Sequence, residues 1–409
     1  MASFFLCRRE VLKTLAAAPL LLRAQDKLPP VRAITKGPAY HWFGYYDKLQ
    51  FDPGSRLVLA NQVDFQGRTP APEDEIRLGM IDLEKDDHWS ELARTRAWCW
   101  QQGCMLQWLP GSKTEVIFND RQGDRFVSWI LDVKTRKKRM LPAPVYALSP
   151  DAKWAVHPEF GRLHDARPGY GYAGISDPNR DVPAPENAGI WRLDLTTGKH
   201  ELLIPFSRVA AIPNPNNDMT GAKHWFNHLL CAPDGKRFVF LHRWQGPRDR
   251  TFLTRMVTAN PDGSDPYVLD PYGQTSHFIW RDPSRILAWA RHPSDGDRFY
   301  LYQDRTDKVE VVGRGVMTVN GHCTYLPNKR WILNDTYPDR DHLQNPYLFD
   351  TATDKRYPLG HFNAPKEYAG EFRCDTHPRF SPDGTKVTID SPHNGGRQIY
   401  LIDIAGITG

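Results

Sequence analysis

His377-Pro-Arg-Phe-Ser-Pro-Asp-Gly384, followed by the apolar run Val387-Thr-Ile389 and by Tyr400-Leu-Ile-Asp403, is one copy of a unit that recurs through the chain. Its turn proline has counterparts at Pro53, Pro110, Pro150, Pro233, Pro283 and Pro327, which makes seven units. They follow one another at intervals of 40 to 57 residues, apart from one of 83 between Pro150 and Pro233 that marks an insertion. After each turn comes a short run such as Leu57-Val-Leu, Val116-Ile-Phe, Phe238-Val-Phe or Trp331-Ile-Leu, and then a second run that often ends in Asp. Alternating β-branched and aromatic residues between Gly, Pro, Asn and Asp clusters read as strands. Self-similarity at this period is the mark of a β-propeller, one four-stranded blade per repeat. The expected fold is therefore all-β, a seven-bladed propeller.

The seventh unit holds only three strands, ending near Leu401-Ile-Asp-Ile404. The strand-like Val31-Arg-Ala-Ile-Thr-Lys36 precedes the first unit and is expected to supply the missing outer strand. That N-terminal strand closes the ring and leaves no exposed edge. The same topology puts the starts of the inner strands and the loops after the second strands on one face. The Pro-Asp-Gly turns lie on the other face. The first face collects the longer loops, residues 158–187, 243–250, 291–298, 335–345 and 392–397, and is where function is expected.

Four histidines stand at one position of the repeat: His228, His277, His322 and His377, each with three residues between it and the turn. The first three units carry Lys48, Met105 and Val145 there instead. Rotational arrangement would bring four imidazoles to the axis, and blade packing has no need of imidazole at that rim. Clustered imidazoles suit Mn, Zn, Fe or Ni better than Ca, so a divalent metal, manganese or similar, is expected. Three ligands with an open position leave one histidine free to act as a base. Arg162, Arg167 and Arg243 lie in loops of the same face, and their forked guanidinium groups match carboxylates. Tyr40-His-Trp-Phe-Gly-Tyr-Tyr46 enters the first inner strand, and Trp42 and Tyr45 are expected to be exposed as sugar-facing rings beside His41 and Tyr170.

Composition narrows the function classes. Cys7-Arg-Arg-Glu-Val-Leu-Lys13, the apolar run Thr14 to Leu22 and Arg23-Ala24 have the form of a twin-arginine export signal. Residues 1–24 are read as that signal and 25–409 as the propeller, exported to the periplasm or beyond. The apolar stretch is too short for a membrane span. Cleavage after Ala24 removes Arg8, Arg9, Lys13 and Arg23 against Glu10, and the formal net charge falls from +5 to +2. A nucleic-acid binder needs a concentrated basic stripe, so that class is set aside. The five cysteines outside the signal are an odd number with no regular spacing, which does not fit a disulfide framework, and Cys231 and Cys323, inside inner strands, read as small buried residues. A monomer is expected.

At Arg373-Cys-Asp-Thr-His-Pro-Arg-Phe-Ser-Pro-Asp-Gly384 and Asn320-Gly-His-Cys-Thr-Tyr325 the chain resembles oligogalacturonate lyases, seven-bladed propellers whose repeats are related to those of TolB-like proteins. The aromatic segment Tyr40–Tyr46, Gln101-Gln-Gly-Cys-Met-Leu-Gln-Trp108 and Lys223-His-Trp-Phe-Asn-His228 look closer to L-rhamnose-α-1,4-D-glucuronate lyases. Both groups cleave at C4 of a uronic acid by β-elimination. The resemblance implies metal ligands at His277, His322 and His377 with a glutamine, for which Gln274 offers a Gln-x-x-His pattern, and His228 as the base. The substrate would be a uronate-containing oligosaccharide or polysaccharide. Arg162 or Arg167 would neutralise its carboxylate, Arg243 would help bind it, and Tyr45, His41 or Tyr170 would protonate the leaving oxygen. Two other readings stand beside this one. A non-catalytic, TolB-like propeller would bind a glycan or a protein, and a glycoside hydrolase would need two carboxylates across the cleft, for which Asp335 and Asp390 are the candidates.

Overall fold

The computed structural model describes residues 28–409; the signal read at residues 1–24 lies outside them. Among the described residues the strands form seven four-stranded antiparallel sheets and one two-stranded ribbon, Leu343–Gln344 with Phe362–Asn363. Each sheet is a blade, numbered here from the N-terminus. The fourth runs outward through Lys223–Cys231, Phe238–Gln245, Leu253–Ala259 and Tyr267–Asp270. The seventh runs through Arg379–Phe380, Lys386–Ser391 and Gln398–Asp403, and Val31–Ala33 completes it. Val31 pairs with Ile402 and Ala33 with Tyr400, so the N-terminal strand closes the ring as expected.

The turn chemistry explains why the repeat reads so regularly. In Ser381-Pro-Asp-Gly384 the N–H of Gly384 donates to the Ser381 carbonyl (2.8 Å) at φ +70°, a left-handed conformation that glycine adopts at little cost. Ala232-Pro-Asp-Gly235 repeats this with Gly235 at φ +69°. The aspartates that end the third strands accept from the following turns, as Asp132 does from the N–H groups of Lys134 and Thr135.

The core lies between blades. Val239, Leu241 and Met256 of the fourth blade pack on Phe278, Trp280, Ile286 and Ala288 of the fifth, all buried. Cys99, Cys104, Cys231, Cys323 and Cys374 are free and buried, as expected for Cys231 and Cys323 in their inner strands. No helix of the described residues is long and apolar enough to cross a membrane.

The first blade departs from regularity in a way that shapes the axis. Its inner strand pairs over Tyr40–Trp42, and the chain then leaves the sheet until the Phe51–Val58 bridge. Phe43 and Gly44 donate their N–H groups to Asp390, which also takes Arg379 at 2.7 Å. Tyr46 reaches across the ring, donating to the Phe278 carbonyl (2.8 Å) and accepting from the Phe278 N–H (3.0 Å). The Tyr45-Tyr46 pair thus lies beneath the histidines.

Candidate active site

Backbone irregularities aim the histidines. The pairing of the fourth blade's inner strand breaks between Asn227 and Leu230, and His228 sits in the break at φ +50°. His377 adopts φ +39°, Met105 takes φ +58° at the same repeat position, and the fifth blade breaks register between Thr275 and Phe278, around His277. A bulge re-aims one side chain out of the strand's alternation, and left-handed non-glycine residues persist only where their surroundings hold them. Here the irregularity turns the imidazoles to the axis.

The four rings meet there. Ring centroids are 4.0 Å apart for His277 and His322, 4.2 Å for His322 and His377, and 6.3 Å for His228 and His277. Tyr45 stacks on His228 at 4.8 Å and places its Oη 3.1 Å from Nε2. The other ring nitrogen, Nδ1, faces Gln102 Nε2 at 3.3 Å and Tyr146 Oη at 3.4 Å. Burial, with Arg243 and His277 adding like charge, holds His228 well below the ordinary imidazole range, so it stays neutral near pH 7.

On the far side of the cluster the chemistry is different. Asp335 takes the ring Nδ1 of His322 at 2.9 Å and also accepts from Thr376 Oγ1 at 2.5 Å. This leaves His322 Nε2, and likewise His377 Nε2, buried without a hydrogen-bond partner. Ligand atoms of His322, His377 and Asp375 lie within 4.8 Å of one another. Two imidazole nitrogens with open lone pairs and one carboxylate, backed by a carboxylate that orients a ligand ring, form a candidate divalent-metal site. His277 is instead occupied by Asn320 (Nδ1 to Oδ1, 3.1 Å) and Tyr337 (Nε2 to Oη, 3.4 Å).

Tyr170 and the arginines complete the surround. Tyr170 lies edge-on to His228 at 5.6 Å and accepts from Arg373 at 2.5 Å. Burial alone would raise its hydroxyl, but Arg373 and Arg167 outweigh that and bring it below the usual phenol value. Burial raises Tyr45 well above that value. Arg243 and Arg167 sit against the Phe252 ring at 4.9 and 4.7 Å. Nε and one Nη of Arg243, and Nε of Arg167, have no partner. Arg243 is 3 % exposed, and burial, with Arg167 beside it, pushes its guanidinium down to about 9.

Several expectations are corrected by these positions. Arg162 is fully buried and donates to Asp177 and to the carbonyls of Asn179, Val182, Pro183 and His224. All five of its N–H groups are used, so it has none left for a substrate carboxylate. Trp42 and Tyr45 are buried, not exposed: Trp42 packs on Trp98 and Trp100, and Tyr45 belongs to the histidine floor. His41 has both ring nitrogens engaged, by Gln398 (2.9 Å) and Gln62 (2.7 Å), in the seam between the first and seventh blades. Gln274 is exposed ahead of the bulge, whereas the imidazoles are buried. Asp335 and Asp390 are committed to His322 and to the Phe43-Gly44 backbone, so the glycosidase pair is not formed.

Asp375, Arg373, Gln102, Tyr146 and Tyr337 went unassigned from sequence. For Asp375 a signal existed: Asp375-Thr-His377 has the two-residue spacing that puts side chains on one side of extended chain. Gln102 and Tyr146 had none, because their nearness to His228 is made between blades.

The architecture has counterparts among solved structures. An oligogalacturonate lyase from Vibrio parahaemolyticus superposes with a TM-score of 0.64 over 93% of this chain and 95% of that one, at 16% identity. The chain shares its fold with oligogalacturonate lyases. A second structure, an oligogalacturonate lyase in complex with manganese, gives 0.66 over 92% and 93%, also at 16% identity. The β-propeller domain of the Trilobed protease from Pyrococcus furiosus gives 0.50 over 90% and 95%, at 11% identity, so the likeness is one of architecture. No protein-family model and no curated protein matches the sequence.

Proposed function

We propose that the protein is a lyase that cleaves uronate-containing oligosaccharides or polysaccharides by β-elimination, at a galacturonate or a rhamnose–glucuronate linkage. One observation carries the reading. Arg243 is a buried guanidinium with unpartnered N–H groups, and its charge is felt by a neutral histidine, His228. A buried cation without an acid is costly unless a ligand supplies the anion. A seat for a carboxylate next to a base is what abstraction of a proton α to that carboxylate requires.

In this scheme Arg243 and Arg167 bind the uronate carboxylate and offset the charge that builds on it as the C5 proton leaves. His228 takes that proton. The electron pair forms the C4–C5 double bond, the C4–O bond breaks, and the departing oxygen receives a proton. Tyr170 is the stronger phenol acid of the site and is assigned that last transfer. Tyr45 keeps its own proton and holds the His228 ring in place. Positioned acid–base help of this kind is worth ~10²–10⁴-fold. His322, His377 and Asp375 would hold a divalent ion, and manganese is compatible with that mixed donor set. Such an ion supplies further positive charge against the developing enolate. The manganese complex of an oligogalacturonate lyase with the same fold supports that assignment.

The test is direct. Purified protein is incubated with oligogalacturonates and with rhamnose–glucuronate glycans, with and without chelator, and the 4,5-unsaturated uronate is followed by its ultraviolet absorption. One of the two glycans is expected to yield it. Absence of unsaturated product from both, with metal supplied, rejects the reading.

A further inference from the structure

Lys223-His-Trp-Phe-Asn-His228 contributes a second histidine, His224, that the proposed chemistry does not use. It belongs to a buried row across the fourth blade. Arg255 Nε donates to His242 Nδ1 at 2.9 Å, and His242 Nε2 lies 2.8 Å from His224 Nδ1. Arginine can only donate, so His242 Nδ1 must carry a lone pair. The His242 proton is then on Nε2 and is donated to His224, whose Nδ1 is also a lone pair. Both tautomers follow from one donor, and both rings must be neutral.

The remaining donors of Arg255 hold the connection from the third blade to the fourth. They reach the carbonyls of Val209 (2.8 Å), Ile212 (3.0 Å) and Pro213 (3.4 Å), where the helix Phe206–Ala210 gives way to the Pro- and Asn-rich residues 212–217. On the other side of His224, Arg162 donates to its backbone carbonyl and to three carbonyls of a different segment, the loop between the second and third strands of the third blade. His224 therefore stands between two arginine clamps, one on the connection into its own blade and one on the loop that carries Arg167 and Tyr170.

We propose that the His224–His242 pair is an acid-sensitive latch: proton uptake by either ring releases Arg255 and loosens the segment around residues 206–220. A proton on His242 Nδ1 would face the Arg255 N–H, and one on His224 Nδ1 would face the His242 N–H. Neither can be accommodated with the row intact. The charged groups facing the pair are Arg255 and Arg162, both cations, with Asp177 on the far side of Arg162. Burial first, and then Arg255, lowers both rings, His224 to about 4. The sign follows: the closed row excludes protons that the open segment binds with ordinary imidazole affinity. Opening is unaffected above about pH 6.5 and grows by up to ~tenfold per pH unit for each ring below it.

The inference does not rest on the lyase reading, and its test reads structure. Amide hydrogen exchange, corrected for intrinsic rates, is followed on the whole protein from about pH 7 to about pH 5. Protection over 206–220 is expected to fall ~tenfold or more while the strands of the fifth blade keep theirs. In His242→Gln the carboxamide can accept from Arg255 and donate to His224, which removes one of the two titrating rings, so the acid response should shrink. Arg255→Met should show the loosened segment already at neutral pH. A wild-type segment whose protection is independent of pH, or opens only with the fifth blade, overturns the latch even if no variant can be made. A His242→Gln protein that opens in acid as readily as wild type overturns it as well.

Discussion

The histidines on the two sides of the axis occupy the same place in the repeat and do different chemistry. His228 faces tyrosines, an amide and an arginine pair with no acid between them. His322 and His377 face carboxylates, Asp335 and Asp375. On the first side the open valence belongs to cationic N–H groups and suits an anion. On the second it belongs to imidazole lone pairs and a carboxylate, and suits a cation. Repetition supplies four equivalent imidazoles, and their neighbours decide what each can do.

If this division is right, variants should separate cleanly. The largest effect is expected for His228→Ala, which should lower turnover by ~10²–10⁴-fold in the unsaturated-product assay while leaving divalent-cation affinity, measured by calorimetry, unchanged. Full activity in that variant would remove the base assignment. Arg243→Met should come next, with ~10²-fold lower kcat/KM for an ionised substrate and an unchanged or higher melting temperature, because an unpaired buried charge has been replaced by a packed apolar chain. A large loss of stability would instead make Arg243 a structural residue. Asp375→Asn and Asp335→Asn should sharpen the other side: the first removes a ligand, and the second should weaken cation binding ~10–100-fold through the orientation of His322. Equal cation affinity in all three proteins would dissolve the distinction.

The repeat was legible because each of its marks has a local cause. A proline and a glycine define a turn, an aspartate accepts from the turn after it, and a strand alternates, all within a few residues. The closing strand was legible from a deficit, three strands where four were due. Convergence of the histidines followed from rotational order alone. The roles of arginines did not follow, because Arg162 and Arg243 are chemically identical in sequence and differ only in what surrounds them. Arg162 is saturated by an aspartate and four carbonyls, whereas Arg243 meets an aromatic ring and a second arginine. Tyr45 and Trp42 were misjudged for a related reason: the first blade's inner strand leaves its sheet after Trp42, and no local pattern announces where the chain goes next.

Sequence alone settled the number of blades, the way the ring closes and which residue type comes to the axis, since these depend on periodicity and on turns that complete their own hydrogen bonds. Only the folded ring decided which imidazole is left with a bare lone pair, which arginine lacks an acid and which tyrosine is acidified. Those outcomes depend on tertiary neighbours, as Asp335 is to His322, Arg167 to Arg243 and Arg373 to Tyr170, which no repeat or turn pattern places side by side.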